Sequence, residues 1–136
     1  MQIAIMDSAA LARPVGPYSN GVKVRLADAT LLFISGVVAF DSDGRVVGKG
    51  DLRAQTIKVM ENLKAILQSE GATFNDIVKL TNYYIDIDQY PIVAEVRRQY
   101  FGSWMPASTG VEVKKLIHED LLVEIEAIAV VNSSQR

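Results

Sequence analysis

The final strand predicted from the sequence, over 121–131, is apolar on both faces, and this constrains the fold more than any other feature. Successive side chains of a strand point to opposite faces. One face carries Val123, Ile125, Ala127 and Ala129, and the other carries Leu122, Ile128 and Val130. The strand predicted over 31–40 is also apolar on both faces. Strands of this kind have to be covered by other protein on both sides of the sheet.

The rest of the pattern predicts two helices and several further strands. Asp51 is placed to cap a helix that continues to Glu70 and stops at Gly71. The predicted inward face of this helix consists of Ile57, Met60, Leu63 and Leu67. A second helix is predicted over 91–101 and is closed by Gly102. Strands are predicted over 22–26, 31–40, 45–47, 77–87, 111–113 and 121–131.

The order of these elements predicts an α+β fold. The expected architecture is a mixed β-sheet with two helices packed on one face, in a single domain over 1–136. Two helices on one face leave the second apolar face of the sheet uncovered. We therefore expect that face to pack against another subunit, which makes the protein a homo-oligomer.

Composition argues against several classes of function. Fourteen basic and 16 acidic residues leave a formal net charge of −2, without the concentrated basic stripe that binds nucleic acid. The chain has no cysteine, which excludes disulfides, thiolate metal sites and cysteine nucleophiles. Nothing resembles a signal peptide or a membrane span, so we expect a cytoplasmic protein with no membrane role. No metal-spaced cluster, phosphate loop or dinucleotide fingerprint is present, so no metal and no other cofactor is expected.

Three polar features are candidates for a site. Glu124 lies in the doubly apolar final strand, where desolvation would raise the pKa of its carboxyl group and suit it to general acid/base catalysis. The alternative is a structural glutamate at the edge of an interface or paired with a lysine. Ser35-Gly36 interrupts the most apolar strand and predicts either a ligand contact or a simple bulge. Tyr18, on a rigid turn, is placed either to line a pocket or to pack on the surface.

Four segments, taken together, carry a family resemblance. They are Gly16-Pro17-Tyr18-Ser19, Ile34-Ser35-Gly36, Pro106-Ala107-Ser108-Thr109-Gly110-Val111-Glu112-Val113 and Val123-Glu124-Ile125-Glu126-Ala127-Ile128-Ala129. In this order and spacing, over nearly the whole chain, they resemble the Rid family, also called the YjgF or L-PSP family. The resemblance implies a chorismate-mutase-like fold and a homotrimer with ligand sites in clefts between adjacent subunits.

The resemblance also implies a chemistry. Members of the Rid family hydrolyse reactive enamines and imines, such as 2-aminoacrylate and 2-iminopropanoate, to 2-ketoacids and ammonia. By this resemblance Glu124 activates the attacking water. The residues that would contact the ligand are Tyr18, Ser35, Gly36, Ser108, Thr109 and Gly110. The predicted function is thus to bind or hydrolyse a small enamine or imine. The alternatives are a trimer that binds a metabolite without turnover and an RNA-acting protein, in line with the endoribonuclease label that some members carry.

Ser108 departs from the family pattern. The deaminating members have an arginine at this position, and that arginine clamps the carboxylate of the substrate. A serine offers one neutral hydrogen bond in place of a bidentate charged pair. The loss of a charge-assisted contact, about 1.5–3 kcal/mol, predicts weaker binding of carboxylate-bearing imines. Another cation could replace the clamp, and the candidates are Lys114, Lys115 and Arg97.

Overall fold

The computed structural model describes residues 1–132 as a six-stranded sheet with two helices. The strands are β1 (Gln2–Met6), β2 (Gly21–Arg25), β3 (Ala29–Val37), β4 (Ile77–Tyr84), β5 (Ala107–Glu112) and β6 (Val123–Asn132). The helices are α1 (Leu52–Ser69) and α2 (Tyr90–Phe101). The strand order is β1-β2-β3-β6-β4-β5. β4 and β5 are parallel and the other neighbouring pairs are antiparallel. The predicted α+β fold, a mixed sheet with two helices, is confirmed.

Helix α1 begins and ends close to the predicted residues, but one residue of its inward face was predicted wrongly. The Asp51 side chain accepts a hydrogen bond from the N–H of Ala54, and Gly71 follows the helix with a positive φ of 68°. Ile57 is 41% exposed, whereas Leu52 at the start of the helix is buried. At 3.6 residues per turn Ile57 lies about 140° around the helix from Leu52, so it leaves the buried stripe.

The sequence interpretation also differs from the structure at three strands. The strand predicted over 111–113 is β5, which begins four residues earlier at Ala107 and ends at Glu112. No strand forms over 45–47, where only Val46 makes an isolated bridge to Phe40. The N–H groups of Asp43 and Arg45 are instead bound by the Asp41 carboxylate, which closes a turn rather than extending a ladder. Strand β1 was not predicted. It is an edge strand, with only Met6 buried, and it is held mainly by backbone pairing with β2.

One face of the sheet packs under the helices and the other is open. The helix side of β6 is buried, as predicted for Val123, Ile125, Ala127 and Ala129. On the opposite side Phe33 of β3 pairs with Ile128 of β6, and Phe33 and Val130 remain 41% and 37% exposed. The open face therefore carries an apolar patch that no other part of residues 1–132 covers. Within the same residues, neither helix has the length and apolar character needed to cross a membrane.

A buried glutamine fixes the start of β6. Gln55 of α1 is fully buried, and its Nε2 donates to the carbonyls of Gly48 and Asp120 at 3.2 and 2.8 Å. Its Oε1 accepts from the N–H of Leu122 at 2.8 Å. A slip of one residue would turn every side chain of β6 to the other face. These hydrogen bonds hold the strand in the register that keeps Glu124 away from the helices.

Candidate active site

The site begins at a bulge in β3. Ile34 pairs with Ala127 and Val37 with Ile125, so β3 carries one residue more than β6 between these pairs. At the bulge Ser35 donates its N–H to the carbonyl of Asn20 and its hydroxyl to the carbonyl of Ser19, at 3.0 and 2.8 Å. The predicted bulge is therefore present. Its serine also anchors the segment that follows Tyr18.

Gly36 makes room for the Glu124 carboxylate. A Cβ added to Gly36 would lie 2.1 Å from Oε2 of Glu124 and 2.7 Å from its Cδ. No side chain fits in that space, so the carboxylate lies directly against the backbone of β3. Glycine is required here by close approach and not by an unusual φ angle.

Glu124 is half-buried and carries no partner in the part of the chain that the structure describes: no residue of 1–132 hydrogen-bonds or ion-pairs with its side chain. Burial raises the pKa of Glu124, and the neighbouring Glu126 raises it further. The Glu126 carboxylate accepts a hydrogen bond from the hydroxyl of Tyr83, which raises the pKa of Tyr83 to about 12. Glu124 therefore has no lysine partner within residues 1–132, which removes one of the two structural alternatives weighed above and leaves the other, a glutamate at the edge of an interface, untested.

A cavity of about 350 Å³ is lined by the predicted site residues of the N-terminal half and by Glu124. Its lining includes Tyr18, Ser35, Gly36 and Glu124. The side chain of Tyr18 is 53% exposed at this cavity. The volume suits a small metabolite. Sequence reasoning missed Arg13, which also lines the cavity and lies in the proline-rich segment before Tyr18.

Ser108, Thr109 and Gly110 lie on β5 and do not line this cavity. Ser108 accepts a hydrogen bond from Nδ2 of Asn82 at 3.0 Å, on the helix side of the sheet. Thr109 points to the open face and accepts from Nζ of Lys79 at 2.7 Å. Within one chain the structure therefore does not bring these three residues together with Glu124.

Gly110 packs against an aromatic ring. A Cβ at this position would lie 2.9 Å from Cε2 of Tyr84. The small residue thus lets Tyr84 occupy space that a larger side chain at position 110 would take.

Two polar residues lie near Ser108: Asn82, which was missing from the predicted site, and Arg97, which was one of the candidate cations to replace the clamp. Asn82 is buried in β4, and its amide also donates to the carbonyl of Thr109 at 2.9 Å. Arg97 of α2 reaches both Asn82 and Ser108. A buried asparagine in an apolar strand was a usable signal, because buried amides need partners.

No metal centre is formed by residues 1–132: no group of three or more histidine or acidic side chains could hold an ion. His118 lies at the surface, where its Nδ1 accepts a hydrogen bond from the N–H of Asp120. The polar groups that line the Glu124 cavity include carboxylate, hydroxyl and guanidinium groups, from Glu124, Tyr18, Ser35 and Arg13.

Comparison with known proteins identifies the family. The sequence model of the family described as Endoribonuclease L-PSP matches residues 8–131, which is most of the chain. The chain belongs to the L-PSP family. A RutC family protein of Pyrococcus abyssi is 42% identical to it over 117 residues, which cover 86% of this chain and 88% of that protein.

Solved structures of other proteins agree with this L-PSP assignment. The Rid family protein YyfA of Yersinia pestis has a TM-score of 0.84 and 32% identity, covering 96% of this chain and all of that one. The TdcF protein of E. coli, solved with bound serine, has a TM-score of 0.82 and 30% identity, covering 95% of this chain and 99% of its own. The Rid resemblance seen in the sequence is confirmed.

Proposed function

We propose that this L-PSP protein hydrolyses a small imine or enamine to a carbonyl compound and ammonia. The observation that carries the proposal is Glu124, a half-buried, unpaired carboxylate with a raised pKa at a metabolite-sized cavity. Perturbed carboxyl groups at a cavity are characteristic of acid/base sites. Tyr18 and Ser35 flank the same cavity and supply hydroxyl groups.

The reaction needs one group that both takes and returns a proton. Water adds to the carbon of the C=N bond while the Glu124 carboxylate accepts one of its protons. The protonated Glu124 then gives that proton to the nitrogen. The Glu124 carboxylate then takes the proton of the new hydroxyl group and passes it to the nitrogen, so that the C–N bond breaks, neutral ammonia leaves and the carbonyl forms. An enamine enters the same steps after its nitrogen loses a proton and its β-carbon gains one, which converts it to the imine. No oxidant, metal or organic cofactor is consumed in these steps.

The proposal includes a homotrimer with the site in a cleft between subunits. The apolar open face of the sheet supports an assembly, because such a patch is stabilised when a second copy covers it. The position of Ser108 to Gly110 supports a shared cleft. These residues lie outside the cavity of their own chain and are available to that of a neighbour.

Binding without turnover is the second candidate. It is favoured by the TdcF structure, which holds serine, an amino acid that has no C=N bond to hydrolyse. The same cavity would then serve to recognise a small amino or keto acid.

The test is ammonia release from imines that an amino-acid oxidase generates in situ, corrected for uncatalysed hydrolysis. We expect wild-type protein to accelerate the release and Glu124→Gln to abolish the acceleration while keeping the assembly, because the amide keeps the shape and removes the base. Light scattering on the same samples should give a trimer. Full activity in an assembled Glu124→Gln variant would show that Glu124 is structural, and an inactive wild type that still binds ligand would favour the second candidate.

A further inference from the structure

Asn62 of α1 is a buried amide that is hydrogen-bonded on one side only. The residue is 6% exposed, and its Nδ2 donates to the carbonyls of Val38 and Phe40 at 3.0 and 2.9 Å. A carbonyl oxygen can only accept a hydrogen bond, so the nitrogen of the amide has to face these two groups. The orientation of the amide is thereby fixed. Its Oδ1 is left as an acceptor that no residue of 1–132 binds.

The unbound oxygen of Asn62 is open to the cavity that Glu124 lines. Within residues 1–132, Nε of Arg97 is the one fully enclosed side-chain nitrogen or oxygen without a hydrogen-bond partner, so Oδ1 of Asn62 is not fully enclosed. Asn62 lines the Glu124 cavity, which is therefore the open space that its oxygen reaches. A buried polar group normally has a partner, and this one can obtain it from a ligand or from water.

The surroundings of Asn62 favour a neutral donor on an apolar chain. Phe40 and Ile66 line the cavity beside it, since Phe40 accepts its hydrogen bond and Ile66 follows one turn later on the same face of α1. An ammonium ion would lose its hydration next to an uncharged amide, and Arg13 on the same cavity would repel it. A hydroxyl group is less costly to desolvate and needs only one acceptor.

Asn62 and Glu124 are close enough for one small molecule to reach both. Gly36 lies against the Glu124 carboxylate, two residues before Val38 and four before Phe40. An extended chain advances about 3.3 Å per residue, so the points at which β3 and its continuation meet the two side chains are no more than about 13 Å apart. A hydrogen bond at each end takes up about 3 Å. The molecule between them is therefore only a few bonds long.

We propose that Oδ1 of Asn62 accepts a hydrogen bond from a neutral donor on the side chain of the ligand, so that the Glu124 cavity selects imines and carbonyl products that carry a hydroxyl group on a short carbon chain. This inference rests on the proposed function, because it adds a second polar contact in the same cavity and narrows the class of substrate. Glu124 acts at the carbon of the C=N bond, and Asn62 holds the far end of the molecule. The preference concerns the substituent and does not require a carboxylate in the ligand.

The first test compares two ketones of equal size, 4-hydroxy-2-butanone and 2-pentanone, whose dissociation constants are measured by NMR titration. We expect Asn62→Ala to change the ratio of the two constants about 2- to 10-fold in favour of 2-pentanone, the range for one neutral hydrogen bond. Comparing this ratio between proteins cancels the greater hydrophobicity of 2-pentanone. Thr56→Val is the matched control and should keep the wild-type ratio. Thr56 is buried on the same helix, donates to the carbonyl of Leu52 at 2.7 Å and does not line the cavity.

A second measurement uses the wild-type protein alone, because Asn62→Ala also takes a donor from two carbonyls and lowers the stability of the fold. The readout is the pair of side-chain NH₂ signals of Asn62 in ¹H–¹⁵N spectra. They should move downfield when 4-hydroxy-2-butanone is added, because a hydrogen bond accepted at Oδ1 polarises the amide. 2-Pentanone has no donor and should not move them downfield.

Four results would overturn the proposal. They are the absence of binding of either ketone even at high millimolar concentration, a wild-type ratio in Asn62→Ala, an equal change of the ratio in Thr56→Val, and Asn62 signals that respond alike to both ketones. The last result would leave Oδ1 with water as its partner. None of these results depends on turnover. A protein that shows the expected preference but releases no ammonia would contradict the proposed hydrolysis and keep the assignment of Asn62.

Discussion

Gly36→Ala should inactivate the proposed hydrolase without unfolding it. The added Cβ would lie 2.1 Å from Oε2 of Glu124, and Cβ atoms essentially never approach other heavy atoms closer than 3.0 Å. The carboxylate has to retreat by about 1 Å, and a misplacement of that size costs on the order of 100-fold in rate. The atoms displaced are the far end of a flexible side chain, so the stability loss should stay below about 1 kcal/mol.

The assay is kcat/KM for ammonia release from oxidase-generated imines, with urea unfolding of the same samples. Gly44→Ala is the matched control. Gly44 has a φ of 81° and no atom within 4 Å of an added Cβ, so that variant should lose about 1 kcal/mol of stability and no activity. In a double-mutant cycle, Gly36→Ala should cost almost nothing further once Glu124→Gln has removed the base. Wild-type activity in Gly36→Ala, or losses that simply multiply in the double variant, would refute the reasoning.

Three further outcomes follow from other contacts. Glu126→Gln removes a like charge that raises the pKa of Glu124, so the acidic limb of the kcat/KM profile, where protonation of the base stops the reaction, should move to lower pH. An acidic limb that stays at the same pH would show that Glu124 is not the group whose protonation stops the reaction. Asn62→Ala leaves the carbonyls of Val38 and Phe40 without their amide donor and should cost about 1–3 kcal/mol in urea unfolding; an unchanged midpoint would contradict this. Asp51→Ala removes the cap of α1 and should cost about 1 kcal/mol while kcat stays the same, and a loss of activity in a folded variant would count against it.

The parts of the fold set by local chemistry were predictable. A capping aspartate and a glycine with positive φ mark the limits of α1, and both act within a few residues of themselves. The environment of Glu124 was predictable for a similar reason, since apolar residues flank it on both faces of one strand. The edge strand β1 was not predicted, because its side chains are mostly exposed and its pairing depends on the backbone.

The contacts around Glu124 and around Ser108 depend on pairing between strands that are distant in sequence. Gly36 meets Glu124 only because a bulge shifts the register of β3 against β6. Arg97 meets Ser108 only because β4 and β5 pair in parallel beside α2, which places Ser108 opposite Leu80 and two residue pairs from Asn82. Hydrophobic periodicity carries information on which face a residue occupies. It carries none on which strand lies beside it.

The hydrogen bonds of Gln55 allow the connection between β5 and β6 to change in length without shifting β6. Gln55 of α1 hydrogen-bonds the carbonyl of Asp120 and the N–H of Leu122, so the register of the last strand is set at those two residues. The segment over 113–119 does not determine it. Ile117 of this segment lines the Glu124 cavity, so insertions or deletions there change the wall of the cavity while the Glu124 carboxylate keeps its place. Sequence change in this connection can therefore alter the shape of the cavity without moving Glu124.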